Sequence, residues 1–124
     1  MSEIFDSTAQ PTTVALPSDE TLTVSTDEIP WCDSGTEGFW IKSLFENENT
    51  SQKTWLMKVD PGAYAPAHAH TEFEQIFVLE GTFYDQDRSY RAGDYAIRPP
   101  HYSHEAGSKD GALVLLIYSN IQSN

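Results

Sequence analysis

The amino-acid sequence predicts one all-β domain, either a sandwich or a small barrel. From about residue 31 onward, short apolar runs alternate with turn residues. No stretch carries the long apolar repeat of about 3.6 residues that marks an amphipathic helix. At 124 residues the chain can bury a sizeable core without disulfides to support it.

Turn signals divide this region into seven predicted strands. Turn sequences stand at 60–62 (DPG), 80–81 (EG) and 92–94 (AGD). A proline at position 66 keeps the residues after it extended. Residues 73–79 are apolar on both faces in their second half, which indicates a strand packed between two layers. The predicted strands cover residues 39–45, 54–59, 73–79, 82–84, 89–91, 95–98 and 113–118.

The chain divides into an N-terminal extension, residues 1–27, and a β domain, residues 28–124. The extension is rich in Ser, Thr, Asp, Glu and Pro, a composition that favours a mobile segment. Two apolar islands within it, at 14–16 and 22–24, are expected to dock as short edge strands.

Acidic residues dominate the charge of this chain. Nineteen Asp and Glu against seven Lys and Arg give a formal net charge of -12. This balance repels phosphate backbones and anionic membrane surfaces, so nucleic acids and membranes are not expected as partners. Residues 1–13 lack the features of a signal peptide, no stretch is apolar enough for a membrane helix, and Cys32 is the only cysteine. We therefore expect a cytoplasmic protein in a reducing compartment.

Three residues with metal-binding side chains stand at even spacing: His68, His70 and Glu74. Even-spaced side chains on an extended strand point to one face, so two imidazoles and a carboxylate are expected to converge. His104 must come from another strand, and neighbouring barrel strands place such residues opposite one another. Two His and a carboxylate with open positions suit non-haem Fe(II), and with a further His they also suit Zn, Mn, Ni or Cu. The competing interpretation is that these are surface imidazoles without a role.

Four further residues are candidates for the lining of a pocket at this site. Ile76 and Val78 continue the face of Glu74, and an apolar wall there would exclude water from the metal. His101 is expected at the pocket rim or beside the ligands, with plain exposure as the alternative. Tyr102 is a candidate for pocket lining or for a hydrogen bond to a substrate, with ordinary core packing as the competing explanation.

These residues resemble the two sequence motifs of the cupin superfamily. The first motif, G-x5-H-x-H-x3-E-x6-G, is matched in full over residues 62–81. The second, G-x5-P-x-G-x2-H-x3-N, is matched at its first glycine, its proline and its histidine within residues 93–108. It departs at two positions, where His101 replaces a glycine and Ser108 replaces an asparagine. His101 must therefore adopt whatever backbone that turn uses, or change the turn.

The resemblance implies a single-domain double-stranded β-helix, the jelly-roll barrel of the cupins. It also implies one divalent metal ion per chain, held by His68, His70, Glu74 and His104. Fe(II) or Zn is expected, with Mn and Ni as alternatives. Since cupins often dimerise, a homodimer is expected too, with a small molecule as ligand or substrate.

Two branches of the superfamily are similar to parts of this chain. Residues 70–104 are similar to the cupin domain of ChrR-type anti-sigma factors, which implies a zinc-binding regulatory module. Residues 29–63 are similar to the dioxygenases that cleave acetylacetone and dihydroxyacetophenone, which implies Fe(II) and O2 used to split a carbon–carbon bond. We therefore expect an Fe(II) dioxygenase-like enzyme acting on a small oxygenated organic compound. The alternative is a non-catalytic zinc-binding regulatory or sensor module.

Overall fold

The computed structural model describes residues 4–7, 17 and 19–120. Their regular structure consists of nine β-strands and one short 3-10 turn, Thr26–Glu28. The predicted all-β class is confirmed, and no helix in the described residues is long or apolar enough to cross a membrane. The strands are β1 Cys32–Asp33, β2 Phe39–Asn47, β3 Gln52–Val59, β4 Tyr64–His68, β5 Phe73–Tyr84, β6 Ser89–Arg91, β7 Tyr95–Arg98, β8 His104–Gly107 and β9 Ala112–Ser119.

The strands pair antiparallel throughout and form a sheet that curls into a single barrel. The hydrogen-bonded order is β1-β2-β3-β9-β5-β8-β4, and β6 and β7 also pair with β5. The first part of β5 pairs with β7 and β9, whereas its last residues pair with β6 and β8. One long strand is therefore shared by the two walls of the barrel.

The prediction of a turn at residues 80–81 is wrong. β5 runs through this point without reversing, and only a bulge between Val78 and Glu80 interrupts its register with β9. Gly81 has φ +75°, which lets the strand bend at the bulge. A Cβ on Gly81 would also collide with the carbonyl oxygen of Gly111, so the glycine marks a close approach of two backbones.

Buried and more exposed residues alternate along β3, β5 and β9. Glu74, Ile76 and Val78 of β5 lie on the inner face, as their spacing predicts. Phe77 and Leu79 point outward and are 39% and 38% exposed, so the prediction that this strand packs between two layers is wrong within the chain. Besides Ile76 and Val78, the core contains Phe39, Ile41, Trp55, Met57, Val59, Val114, Leu116 and Tyr118.

The first described segment packs against this core. The side chain of Phe5 is buried in the apolar cluster. The backbone N–H of Asp6 donates to the carbonyl oxygen of Ser34 over 2.9 Å, and Thr36 Oγ1 donates to the carbonyl oxygen of Ile4 over 2.6 Å. These contacts hold part of the N-terminal extension on the barrel.

The two apolar islands of the extension have different outcomes. Residues 22–24 form no strand, and the side chains of Leu22 and Val24 are exposed, because no neighbouring strand pairs with them in the described structure. Residues 14–16 lie outside the described residues.

Candidate metal centre

Strands β4 and β8 bring two histidines face to face. His68 at the end of β4 is the register partner of His104 at the start of β8. Both side chains point inward and are buried, at 1% and 3% exposure. The prediction that a neighbouring strand presents His104 opposite the first histidines is confirmed.

His70 and Glu74 complete the group from the segment that joins β4 to β5. His70 lies between the two strands, and Glu74 is the second residue of β5, so the prediction that one strand carries all three residues is wrong. Their side chains converge all the same, because the chain passes from β4 to β5 beside the site. The backbone N–H of His101 donates to the carbonyl oxygen of His70 over 2.6 Å, which ties the second motif to the first. His101 has φ +67°, the left-handed conformation that the motif's glycine would adopt more easily.

The three imidazoles form a compact cluster. Their ring centroids are 4.3 Å apart for His68 and His104, and 5.1 Å apart for His68 and His70. One ligand nitrogen from each of the three rings lies within 4.8 Å of the other two. The oxygens Oε2 and Oε1 of Glu74 lie 3.4 Å from Nε2 of His70 and of His104, respectively. The structure therefore brings together all four predicted ligands.

The histidines present nitrogen lone pairs to the centre of the cluster. Nδ1 of His68 lies 2.9 Å from the carbonyl oxygen of Pro66, and Nδ1 of His104 lies 3.3 Å from that of Tyr102. Carbonyl oxygens only accept hydrogen bonds, so both rings carry their proton on Nδ1 and leave Nε2 as an acceptor.

An ion at the centre would satisfy these acceptors. Nε2 of His68 is buried and has no hydrogen-bond partner in the described structure, an arrangement that costs free energy unless an ion is bound. The 3.4 Å separations from Glu74 also agree with ligand bonds of about 2.1 Å in tetrahedral geometry, which give separations of about 3.4 Å. The donor set therefore fits a divalent metal ion.

Burial sets the charge of the imidazoles. It lowers the pKa of His68 from its ordinary value, and it lowers the pKa of His104 to about 4 despite the nearby carboxylate of Glu74. Both rings are therefore neutral at pH 7. Metal ions bind the neutral form of imidazole, so no proton has to leave these two rings before an ion binds.

Glu74 is charged although it is buried. Burial alone would raise the pKa of its carboxyl group, but the hydrogen bond from His70 and the charges of His104, His70 and Arg98 lower the pKa to about 2. The permanent cation beside Glu74 is Arg98. Its Nε donates to Glu74 Oε1 over 3.1 Å.

Arg98 is a site residue that the sequence interpretation missed. It is 5% exposed, and its register partner across β5 and β7 is Glu74. The sequence offered one signal, because alternation along the predicted strand 95–98 can place the side chain of Arg98 inward. Only the pairing of that strand with β5 shows that this inward position lies beside Glu74. Arg98 therefore belongs to the site through its pairing with Glu74.

The four predicted pocket residues occupy different surroundings. Ile76 and Val78 are buried on the inner face, in the same strand as Glu74. The side chain of His101 is exposed, and only its backbone contacts the site. Tyr102 is also exposed, stacks on His104 with centroids 6.2 Å apart, and lines a cleft of about 370 Å³ that Arg98 also lines. Tyr102 thus covers one side of His104.

Two further aromatic residues pack against the imidazoles. The ring of Phe5 contacts His68 at a centroid distance of 5.3 Å, and the ring of Tyr118 contacts His70 at 5.0 Å. Both rings belong to the apolar core cluster that also contains Ile76 and Val78, so this side of the site has an apolar lining. Such a lining keeps water from the centre and strengthens electrostatic interactions there.

The family assignment follows from the sequence match. The family model described as the ChrR cupin-like domain matches residues 19–122. This chain belongs to the ChrR cupin-like family. The cupin assignment and the predicted double-stranded β-helix are both confirmed, since solved structures of cupins share the fold.

Three solved structures illustrate the likeness. A cupin-like protein of unknown function from Ralstonia eutropha is 23% identical, with a TM-score of 0.74 over 86% of this chain and 71% of that one. A predicted oxalate decarboxylase from Thermotoga maritima is 23% identical, with a TM-score of 0.69 over 81% and 100%. An acetylacetone dioxygenase from Acinetobacter johnsonii is 13% identical, with a TM-score of 0.70 over 89% and 80%. At these identities the likeness establishes the fold alone, and no curated protein sequence matches the chain.

Proposed function

We propose that this protein is a mononuclear metal enzyme, an Fe(II) dioxygenase-like cupin that acts on a small oxygenated organic compound. The observation that carries the proposal is the buried cluster of three imidazoles, with one ligand nitrogen from each ring within 4.8 Å of the other two. Three neutral nitrogen ligands leave coordination positions for a substrate and for O2. An acetylacetone dioxygenase has the same fold, so the scaffold is compatible with the proposed chemistry.

The residues of this chain divide the work. His68, His70 and His104 would hold the ion, which supplies Lewis-acid and redox chemistry when bound. The carbonyl oxygens beside Nδ1 of His68 and His104 fix the orientation of those rings. Ile76, Val78 and Phe5 would exclude bulk water and surround the apolar part of a substrate.

A second function is a non-catalytic zinc-binding regulatory or sensor module. The match to the ChrR cupin-like family favours it, as does the position of Glu74 within 3.4 Å of two imidazoles. Four protein ligands would fill the tetrahedral shell of a structural zinc ion, whereas an enzyme needs an open position. Mn or Ni would fit the same donors.

The metal content and O2 consumption of the protein test these alternatives. We expect about one divalent ion per chain after purification, and O2 consumption with one or more of a panel of β-diketones and hydroxyketones after anaerobic loading with Fe(II). His68→Ala and His104→Ala should each lose most of the bound metal, whereas His101→Asn, which removes an exposed imidazole, should retain it. Full metal content in both alanine variants would contradict the metal site. No O2 consumption with a full iron complement would contradict the dioxygenase and favour the zinc module.

We also propose that the protein is cytoplasmic and that its partner is a small molecule. The single cysteine supports a reducing cytoplasm, and the net charge of -12 supports a small-molecule partner rather than a nucleic acid or an anionic membrane.

We further propose a homodimer that forms through the outer apolar face, which we define as two neighbouring rows of outward residues on β3, β9, β5 and β7. Strand register aligns these residues in two rows across the sheet, and neither row contains a carboxylate. The rows are Leu56, Leu115, Phe77 and Tyr95, followed by Thr54, Ile117, Gln75 and Ile97.

A second copy of the chain suits this face for two reasons. Phe77, Tyr95 and Ile97 are 39%, 55% and 49% exposed, and contiguous exposed apolar residues indicate an interaction surface. Two copies that each carry a charge of -12 repel one another wherever carboxylates meet, and this face allows contact without carboxylates. A two-fold axis would stack the same rows on one another.

A further inference from the structure

The Arg98 guanidinium is enclosed between two buried carboxylates. Its Nε donates to Oε1 of Glu74 over 3.1 Å, and its Nη1 donates to Oδ2 of Asp85 over 2.8 Å. Asp85 and Glu74 are 7% and 4% exposed. Because arginine stays protonated, Arg98 is a permanent cation beside the proposed metal centre.

Asp85 accepts enough hydrogen bonds to hold the guanidinium of Arg98 in one place. Its Oδ1 accepts the backbone N–H groups of Asp87 and Arg88 over 2.8 and 3.0 Å. Its Oδ2 accepts the hydroxyl of Tyr90 over 2.9 Å besides Nη1 of Arg98. With four hydrogen bonds accepted from residues 87, 88, 90 and 98, the Asp85 carboxylate has a fixed position. It therefore anchors the guanidinium of Arg98.

The third nitrogen of Arg98 is vacant. Nη2 is buried and has no hydrogen-bond partner in the described structure. Nε and Nη2 lie on the same edge of a guanidinium, the edge that can bind both oxygens of one carboxylate. Glu74 uses only half of that edge, because its Oε2 lies 3.4 Å from Nε2 of His70.

Glu74 therefore has two places to go. Its carboxylate can face the imidazoles and contribute an oxygen to an ion, or it can turn onto Nε and Nη2 of Arg98 and bind both. The second position satisfies a buried donor and balances the carboxylate charge without any ion.

We propose that Arg98, anchored by Asp85, draws Glu74 off the metal ion, so that His68, His70 and His104 alone hold it. Arg98 is then a positioning residue that keeps a coordination position open. The inference rests on the proposed metal site and deepens it. A dioxygenase requires an open centre held by three histidines, whereas a structural zinc site has all its coordination positions filled.

Co(II) loaded in place of the native ion tests the inference through its visible spectrum, which weakens and shifts as the coordination number rises. Glu74→Gln should leave the spectrum of the wild-type protein unchanged. Arg98→Met should weaken and shift it, because Glu74 loses its partner and joins the ion. The double variant Arg98→Met with Glu74→Gln should restore the wild-type spectrum. It removes the charge of Glu74 together with that of Arg98, and Asp85 keeps three hydrogen-bond donors, so it is expected to fold even where Arg98→Met does not.

The existence of the metal site and the role of Arg98 are tested by different outcomes. Failure of the wild-type protein to bind Co(II) would contradict the metal site itself. Binding of Co(II) with a changed spectrum in both Glu74→Gln and the double variant would show that Glu74 already coordinates the ion, and would overturn the role of Arg98 alone. Asp85→Asn should give a smaller shift than Arg98→Met in the same direction, because it loosens the anchor and keeps the cation.

Discussion

The ring of Phe5 meets the imidazole of His68 edge-on, with centroids 5.3 Å apart and an interplanar angle of 88°. Phe5 also packs on Phe39 at a centroid distance of 5.0 Å. A residue near the N-terminus thus supplies part of the wall around the candidate metal site. Such edge-to-face contacts stabilise by about 0.5–1.5 kcal/mol beyond burial alone.

We expect Phe5→Ala to loosen this wall. Loss of the ring should lower the free energy of unfolding by up to about 3 kcal/mol, the lower end for a buried Phe, since the segment can undock without unfolding the barrel. A chelator should then remove the metal faster, and release can be followed with a coloured indicator. Phe5→Leu, which keeps most of the apolar volume, is the matched control. Equal release rates in wild type and Phe5→Ala would mean that the segment does not limit access.

Acid should destabilise the metal-free protein through His104. Burial lowers its pKa from 6.5 to about 4, so the unfolded state binds more protons between these pH values. This contribution to stability is complete above pH 6.5 and is lost as the pH falls toward 4. Glu74, with a pKa of about 2 against 4.5, extends the loss to lower pH.

Urea unfolding at pH 7 and pH 5 measures this effect. At 1.36 kcal/mol per pKa unit, His104 should account for a loss of about 2 kcal/mol between these two pH values. His104→Asn should lose most of that dependence, and His101→Asn should keep it. If His104→Asn lost as much stability between pH 7 and pH 5 as the wild-type protein, the effect could not be assigned to this ring.

Gly81 and Gly93 form a matched pair for testing the bulge in β5. Both have positive φ, +75° and +96°, so alanine costs about 1–2 kcal/mol of backbone strain at either position. A Cβ at Gly93 meets no atom within 4 Å, whereas one at Gly81 overlaps Gly111. Thermal unfolding should therefore show a loss of about 3 kcal/mol or more for Gly81→Ala and a smaller loss for Gly93→Ala. Equal losses would indicate that the close approach does not constrain the fold.

The outer apolar face should control the oligomeric state. We expect the wild-type protein to sediment as a dimer and Phe77→Lys to sediment as a monomer, because each copy would bring a lysine charge into the apolar interface. Leu22→Lys changes an equally exposed apolar residue outside the face and should stay dimeric. A monomeric wild type would contradict the homodimer, and a dimeric Phe77→Lys would point to a different surface.

Local periodicity predicted the parts of the site that depend on it. Alternation along one strand places Glu74, Ile76 and Val78 on one face, and the structure agrees. The position of His104 opposite the other histidines also follows from how strands neighbour one another in a barrel. The shared face of Glu74, Ile76 and Val78 needs only the direction of side chains on extended backbone. The place of His104 also needs the general rule that barrel strands lie side by side.

The features that sequence reasoning missed depend on contacts distant along the chain. Arg98 gains its role from the pairing of β7 with β5, which no local pattern specifies. Gly81 resembles a turn residue, and only the approach of Gly111 explains it. Phe5 packs on the core although it belongs to a polar segment whose composition alone suggests mobility. The exposed side of β5 similarly depends on what covers it rather than on its own residues.

Because β5 is shared by the two walls of the barrel, it limits the local opening fluctuations of the protein. β5 pairs with β6, β7, β8 and β9, so its amide hydrogens are protected from several sides at once. Glu74 lies on this strand, and Arg98 is its register partner. A local fluctuation large enough to scatter these groups would have to separate most of the sheet. Exchange of β5 amides with solvent deuterium should therefore proceed only through global unfolding, while the N-terminal segment over His68 opens far more often.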